Sequence, residues 1–231
     1  MDNFFVYHNE MKVGKSVLDL GNRSKPAANA GVRPNKNQRK RMDSAIAYEK
    51  NAKDFMQARS NCGYKVVRQW ADSLESGAEV LEVACGSGFP VSKELVESGL
   101  KLWAIDSSKT LTNEFAKNFP DVQVKCERFQ DSDFFNKTYN AVIAIGLIFL
   151  LTENEQGQLL SKVSEVLEPG GKFLFTAPTE IGNWRDLNTG ITCTSLGQEK
   201  YQELLANSRL KIISTFVDEG KNNYYETERL A

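Results

Sequence analysis

Between residues 79 and 177, short apolar runs alternate with amphipathic helical stretches, and this alternation limits the fold more than any other feature of the chain. The apolar runs fall at 79–84, 101–105, 122–126, 140–146 and 172–177. They are too short for helices and continuous rather than alternating, as expected of strands buried on both faces. Helical patterns occupy 91–98, 108–118 and 154–167 between them. In the last, Leu159, Leu160, Val163, Val166 and Leu167 form one apolar stripe that Pro169-Gly170-Gly171 stops. Strand-helix-strand alternation predicts right-handed crossovers and a mainly parallel, doubly wound α/β sheet covered on both faces. The chain then changes character: a helix over 198–207 precedes strands at 210–217 and 223–230. The turn Asp218-Glu219-Gly220-Lys221 makes those strands an antiparallel hairpin. Residues 179–197 read as a long loop, and loops of that length in compact domains are often functional.

Upstream, residues 43–75 carry two helical patterns broken at Ser60–Gly63, which predicts a helical lid on a core at 76–231. Residues 1–42 read differently. They hold nine Lys/Arg against three Asp/Glu, are punctuated by Gly and Pro, and form an expected basic, flexible arm. The remaining residues carry a net charge of −7, which argues against a nucleic-acid groove across the main domain. The four cysteines are scattered without a Cys-x-x-Cys pair, so free thiols and a cytoplasmic location are expected. No apolar run nears the ~20 residues that span a bilayer, and the N-terminus is a poor signal peptide. The only histidine is His8, so the main domain is expected to work without a histidine triad or a histidine metal site.

The stretch VLEVACGSGFP, residues 80–90, carries the chemistry. A strand that runs into Gly86-x-Gly88 lets a ligand approach the backbone and leaves amide donors at the next helix's N-terminus. Asp106 lies eighteen residues beyond Gly88, at the end of the following strand. An acceptor-only carboxylate there suits the two hydroxyls of a ribose. Nicotinamide and adenosylmethionine binders share this pattern. The dinucleotide fingerprint requires a third glycine where Val91 stands, and Glu82 would repel phosphates while it could orient an ammonium group. A ligand with ribose and adenine, a cation and no phosphate fits better.

With these residues the chain, over about 43–231, resembles the class I S-adenosylmethionine-dependent methyltransferases. VLEVACGSG resembles their first motif, with Glu82, Gly86 and Gly88 in place and Ala84 where glycine is usual. AIDSS resembles the ribose motif, with Asp106 and Ser107. CERFQDSDFF occupies the adenine segment, where Glu127, Arg128 and Phe129 compete for the usual acid-plus-small pair. YNAVIAIGLIFLL resembles the fourth strand, with Ile145 and Gly146 at the cofactor, and LEPGGKFLFTAP the turn and fifth strand. The resemblance implies a Rossmann-like seven-stranded sheet of order 3-2-1-4-5-7-6 with an antiparallel last strand. It implies S-adenosyl-L-methionine as cofactor, Arg59 on its carboxylate and Tyr48 over the methyl group. Phe149 and Leu150 stand where many relatives carry a histidine, which points to an apolar wall. The long loop with Trp184, Arg185 and Asp186 is expected to touch the acceptor. Finer features, among them Trp184-x-Asp186 and DEGKNNYY, resemble a bacterial small-molecule branch.

The expected activity is methyl transfer to a small molecule by proximity and in-line orientation. Three rivals stand beside it: a protein or RNA methyltransferase that docks through the basic arm, a non-catalytic S-adenosylmethionine-binding protein, and a nicotinamide dehydrogenase. The sequence does not give the oligomeric state.

Overall fold

The computed structural model describes residues 43–231, so the basic arm expected over 1–42 lies outside the described residues. Helix α1 (Ser44–Ala58) starts at Asp43, whose carboxylate accepts from the amides of Ala45 and Ile46. After the predicted break, α2 (Tyr64–Ala71) buries Val67, Trp70 and Ala71.

The alternating part follows as β1 (Glu79–Val83), α3 (Val91–Glu97), β2 (Lys101–Asp106), α4 (Lys109–Asn118), β3 (Gln123–Cys126), β4 (Tyr139–Ala144), α5 (Glu153–Val166) and β5 (Leu167–Thr176). Helix α5 opens on a reciprocal cap in which Thr152 and Glu155 each accept from the other's amide. The chain continues through β6 (Ile181–Arg185), β7 (Thr192–Leu196), α6 (Gln198–Asn207), β8 (Leu210–Val217) and β9 (Asn223–Arg229).

Seven strands form one sheet of order β3-β2-β1-β4-β5-β9-β8. The first five pair in parallel, and β9 runs antiparallel to both β5 and β8. This is the expected Rossmann-like doubly wound sheet, closed by the hairpin that the Asp218–Lys221 turn predicts. Strand periodicity divides the core in two. Leu81, Val83, Val142, Ala144, Phe173 and Phe175 face α5 and α6, while Val80, Ala141, Ile143 and Leu174 face α2 and α3.

One expectation is corrected. Residues 179–197 are not an irregular loop: β6 and β7 pair antiparallel as a separate two-stranded sheet, with Trp184 opposite Cys193. The apolar content of IGNWR and TCTSL is too low to read as strand, yet Cys193 and Ser195 alternate inward. A buried network fixes this hairpin to α5 and α6: Gln156 donates to the carbonyls of Leu151 and Thr194 and accepts from the Tyr201 hydroxyl.

Candidate functional site

A cleft of about 760 Å³, measured to its open mouth, lies at the carboxyl ends of β1, β2 and β4. A second lobe of about 410 Å³ adjoins it, and Ser44, Ala45, Ala84, Asp106, Ser107 and Leu147 line both. This is where an open parallel sheet places its ligands, because helix N-termini and strand-end loops converge there.

The floor is the loop after β1. The amides of Ala84 and Cys85 both donate to the carbonyl of Ile105, at 2.8 and 3.1 Å, which folds the loop back against β2. The turn needs left-handed backbone at Ala84 (φ +64°) and at Gly86 (φ +58°). The first explains why glycine is usual at that position, since an L side chain in this region costs about 1–2 kcal/mol. A side chain at Gly86 would point toward Phe55 across the cleft. Gly88 is different. At φ +93°, a Cβ there would stand 2.2 Å from the Phe119 ring, and Gly88 lines neither lobe. Its glycine is required by packing against α4's end rather than by ligand approach.

Asp106 is 8% exposed and ties two loops together. One carboxylate oxygen accepts from the Gly86 amide at 2.9 Å and the other from the Ser108 amide at 2.8 Å. Burial pushes its pKa up, and the two amides oppose that shift. A carboxylate has acceptor capacity beyond these bonds, and Asp106 lines both lobes. Glu82 is 3% exposed and accepts from the Ser92 hydroxyl at 2.5 Å. Burial raises its pKa to about 8, Asp106 adds to the shift and Arg59 opposes it. Arg59 donates from Nε to the Phe89 carbonyl at 3.1 Å and lies 5.5 Å from the Phe55 ring centre. Burial lowers its pKa. Ile145 and Gly146 line the same lobe, and the Gly146 amide donates to Thr176 Oγ1 at 2.8 Å.

In the second lobe the three competing residues separate. Phe129 is buried and supplies an apolar wall, Arg128 pairs with Asp43, and Glu127 accepts from Ser132 Oγ at 2.5 Å. The Glu127 amide donates to the Asp106 carbonyl at 2.9 Å.

Helix α1 covers the cleft. Ser44, Ala45, Tyr48, Phe55 and Arg59 line it from that segment. Glu49, on the same helix, accepts from the Ser108 hydroxyl at 2.5 Å and from the Thr110 amide and hydroxyl at 3.1 and 2.8 Å. The Tyr48 phenol donates to Asp186 Oδ1 at 3.3 Å, and burial beside that carboxylate raises its pKa.

Of the expected site residues, Tyr48, Arg59, Glu82, Ala84, Gly86, Asp106, Ser107, Ile145 and Gly146 meet in the main lobe, and Glu127, Arg128 and Phe129 in its neighbour. Phe149 and Trp184 stand behind the wall, their ring centres 5.4 Å apart, while Leu150 forms the surface. Arg185 is exposed on the hairpin and donates to the Gly190 carbonyl at 3.1 Å. Sequence reasoning missed Phe55, Phe89, Leu147 and Glu49. Phe55 was within reach, because it shares a helical face with Tyr48 and Arg59.

A family model described as a methyltransferase domain matches residues 80–171, the segment that runs from β1 into β5 and contains the floor of the cleft. Residues 80–171 thus match a methyltransferase domain, set on the sheet order that the resemblance to class I S-adenosylmethionine-dependent methyltransferases implies. Two curated methyltransferases of uncharacterised specificity resemble this one. The first, from Anoxybacillus flavithermus, is 23% identical over 153 residues, which cover 66% of this chain and 65% of its own. The second, from Geobacillus kaustophilus, is 23% identical over 158 residues and covers 66% and 64%. The matched region thus spans just under two thirds of either relative. Among solved structures, the methyltransferase fold matches the 1,6-didemethyltoxoflavin-N1-methyltransferase of Burkholderia thailandensis with a TM-score of 0.67 at 12% identity, over 81% of this chain and 86% of that one. It also matches the glycopeptide N-methyltransferase MtfA with a TM-score of 0.61 at 18% identity, over 73% and 94%. No helix among the described residues is long and apolar enough to cross a membrane, and no cluster among them could hold a metal ion.

Proposed function

We propose that the protein transfers a methyl group from S-adenosyl-L-methionine to a nucleophilic atom of a small molecule. The observation that carries this reading is the pair of buried carboxylates, Glu82 and Asp106, set on either side of the Gly86 turn beneath Arg59. The residues fit the cofactor's parts. Asp106 has acceptor capacity for ribose hydroxyls, Glu82 offers a carboxyl group that an ammonium group would favour in its ionised form, and Arg59 offers a guanidinium to the carboxylate. Ala84, Gly86, Ile145 and Gly146 supply the backbone surface between them. Ser107, Glu127, Arg128 and Phe129 form a lobe with one apolar wall and polar rims, as a purine requires. When bound, the cofactor supplies an electrophilic sulfonium methyl, whose transfer needs no metal and no covalent enzyme intermediate.

The chain's own task is to hold the acceptor about 3–3.5 Å from that carbon and in line with the bond that breaks. Tyr48, Leu147, Leu150 and Phe55 face the space left for it, with Phe149 and Trp184 packed behind. Helix α1 roofs the cleft, which favours a small acceptor over a macromolecular one. Two proteins that share the fold support the class: one is a 1,6-didemethyltoxoflavin-N1-methyltransferase and another a glycopeptide N-methyltransferase.

The test has two steps. Calorimetry with S-adenosylhomocysteine should give binding; its absence would end this reading. Labelled methyl from S-adenosylmethionine, incubated with an extract of the source cells, should then appear in the small-molecule fraction. Label confined to macromolecules would instead favour a protein or RNA acceptor.

A further inference from the structure

Tyr48 lines the cleft, whereas Asp186, 138 residues away in sequence, lines neither lobe and meets the phenol oxygen from outside them. The turn between β6 and β7 is built around this carboxylate. Its Oδ2 accepts from the Thr189 amide at 2.8 Å and the Thr189 hydroxyl at 2.6 Å. Its backbone amide donates to the Ile191 carbonyl, and its carbonyl accepts from the Gly190 amide, both at 2.8 Å. Oδ1 therefore faces Tyr48 from a fixed frame. Asn188, on the same turn, reaches the phenol as well. The Tyr48 ring is held from the other side by the edge of Phe55, with centres 5.4 Å apart and planes at 75°.

A carboxylate only accepts hydrogen bonds, so in this contact the phenol must donate. That directs the single O–H away from the cleft and leaves lone-pair density on the side where an acceptor would sit. We propose that Asp186 is a positioning residue that fixes Tyr48 as a hydrogen-bond acceptor, so that the site selects nucleophiles carrying a hydrogen on the attacking atom, amines or hydroxyls. A thiolate, a carboxylate or a tertiary amine would set lone pair against lone pair on the phenol oxygen, whose acceptor direction toward the ligand would go unused. Burial keeps the phenol protonated well past neutrality, so the orientation persists through the working range. The inference rests on the methyltransferase reading above.

The decisive variant is Asp186→Asn. Its carbonyl can keep both Thr189 bonds and so preserve the turn, while its amide nitrogen now donates to Tyr48 and turns the phenol proton toward the cleft. Each protein is assayed for S-adenosylhomocysteine affinity and for labelled-methyl transfer to a panel of amines, hydroxyl compounds, thiols and carboxylic acids, and to the cell extract. In the wild type the label is expected on a nitrogen or oxygen that bore hydrogen. Asp186→Asn should lower kcat/KM at least tenfold with affinity for the homocysteine product kept within twofold. Tyr48→Phe should fall to the same level, and the double variant should fall little further. Label on sulfur or a carboxylate, an Asp186→Asn protein with wild-type turnover, or losses that multiply in the double variant would overturn the assignment. So would a wild type that binds the product yet transfers to nothing. A wild type that binds no product would instead remove the reading beneath it.

Discussion

Floor and roof of the cleft are held by different kinds of contact. At the floor, Asp106 bonds to backbone amides of its own and the neighbouring loop, and Ala84 and Cys85 bond to the backbone of β2. At the roof, α1 is secured by side chains from widely separated segments: Glu49 to Ser108 and Thr110, Asp43 to Arg128, Arg59 to Phe89 and Tyr48 to Asp186. Buried charge-to-amide bonds contribute about 1.5–3 kcal/mol each, whereas exposed ion pairs contribute about 0–1. The floor is therefore fixed by bonds within adjoining strand-end loops, whereas the roof depends on contacts between segments far apart in sequence. A cleft that must admit a cofactor and an acceptor needs that asymmetry.

Four experiments test the contrast. The largest effect is expected from Gly88→Ala, because a Cβ there runs into Phe119 and the backbone sits at φ +93°. Strain and overpacking together should cost about 3 kcal/mol, read as a shift in urea midpoint. An unchanged midpoint would mean that the floor yields as easily as the roof. Asp106→Ala comes next. It should weaken S-adenosylhomocysteine binding about tenfold or more and lower stability by about 1–3 kcal/mol, since two amides lose their partner. Loss of affinity with full stability would separate ligand binding from the floor's architecture.

A third experiment uses pH. Glu82 in the folded protein holds its proton up to about 8. The unfolded chain releases it in the ordinary carboxylate range, so between those limits the folded state binds more protons and stability falls as pH rises. Urea unfolding at pH 5.5 and 8 should show that decline, and Glu82→Gln should remove most of it. Asp106, whose pKa is also raised, contributes with the same sign. The smallest stability effect belongs to the roof. Glu49→Ala should move the urea midpoint by no more than about 0.5 kcal/mol while S-adenosylhomocysteine leaves a few times faster in stopped flow. A large stability loss would show the roof to be part of the core after all.

The same contrast explains what the sequence disclosed. Glu82, Gly86 and Asp106 are set by local spacing at two strand ends, so a reader of the chain meets them together. The alternation of runs gave the crossovers, and the Asp218–Lys221 turn gave the closing hairpin. Gly88 was assigned to ligand approach because its true neighbour, Phe119, arrives from the far end of another helix. The β6–β7 hairpin escaped notice because its strands carry Gly, Asn, Thr and Ser. Once those strands are known, period-two alternation explains why Trp184 turns in against Phe149 while Arg185 turns out. The Tyr48–Asp186 contact has no local signature at all.

The two ends of that hairpin are bound to each other: the Gln198 amide donates to the Thr179 carbonyl at 2.9 Å, and Ser195 Oγ to the Pro178 carbonyl at 3.1 Å. The chain thus leaves the main sheet and returns to it at one doorway. A segment inserted in this way can lengthen, shorten or be exchanged in evolution without disturbing the register of β5 or the start of α6. One cofactor-binding chassis could then be refitted for successive acceptors by replacing a single cassette.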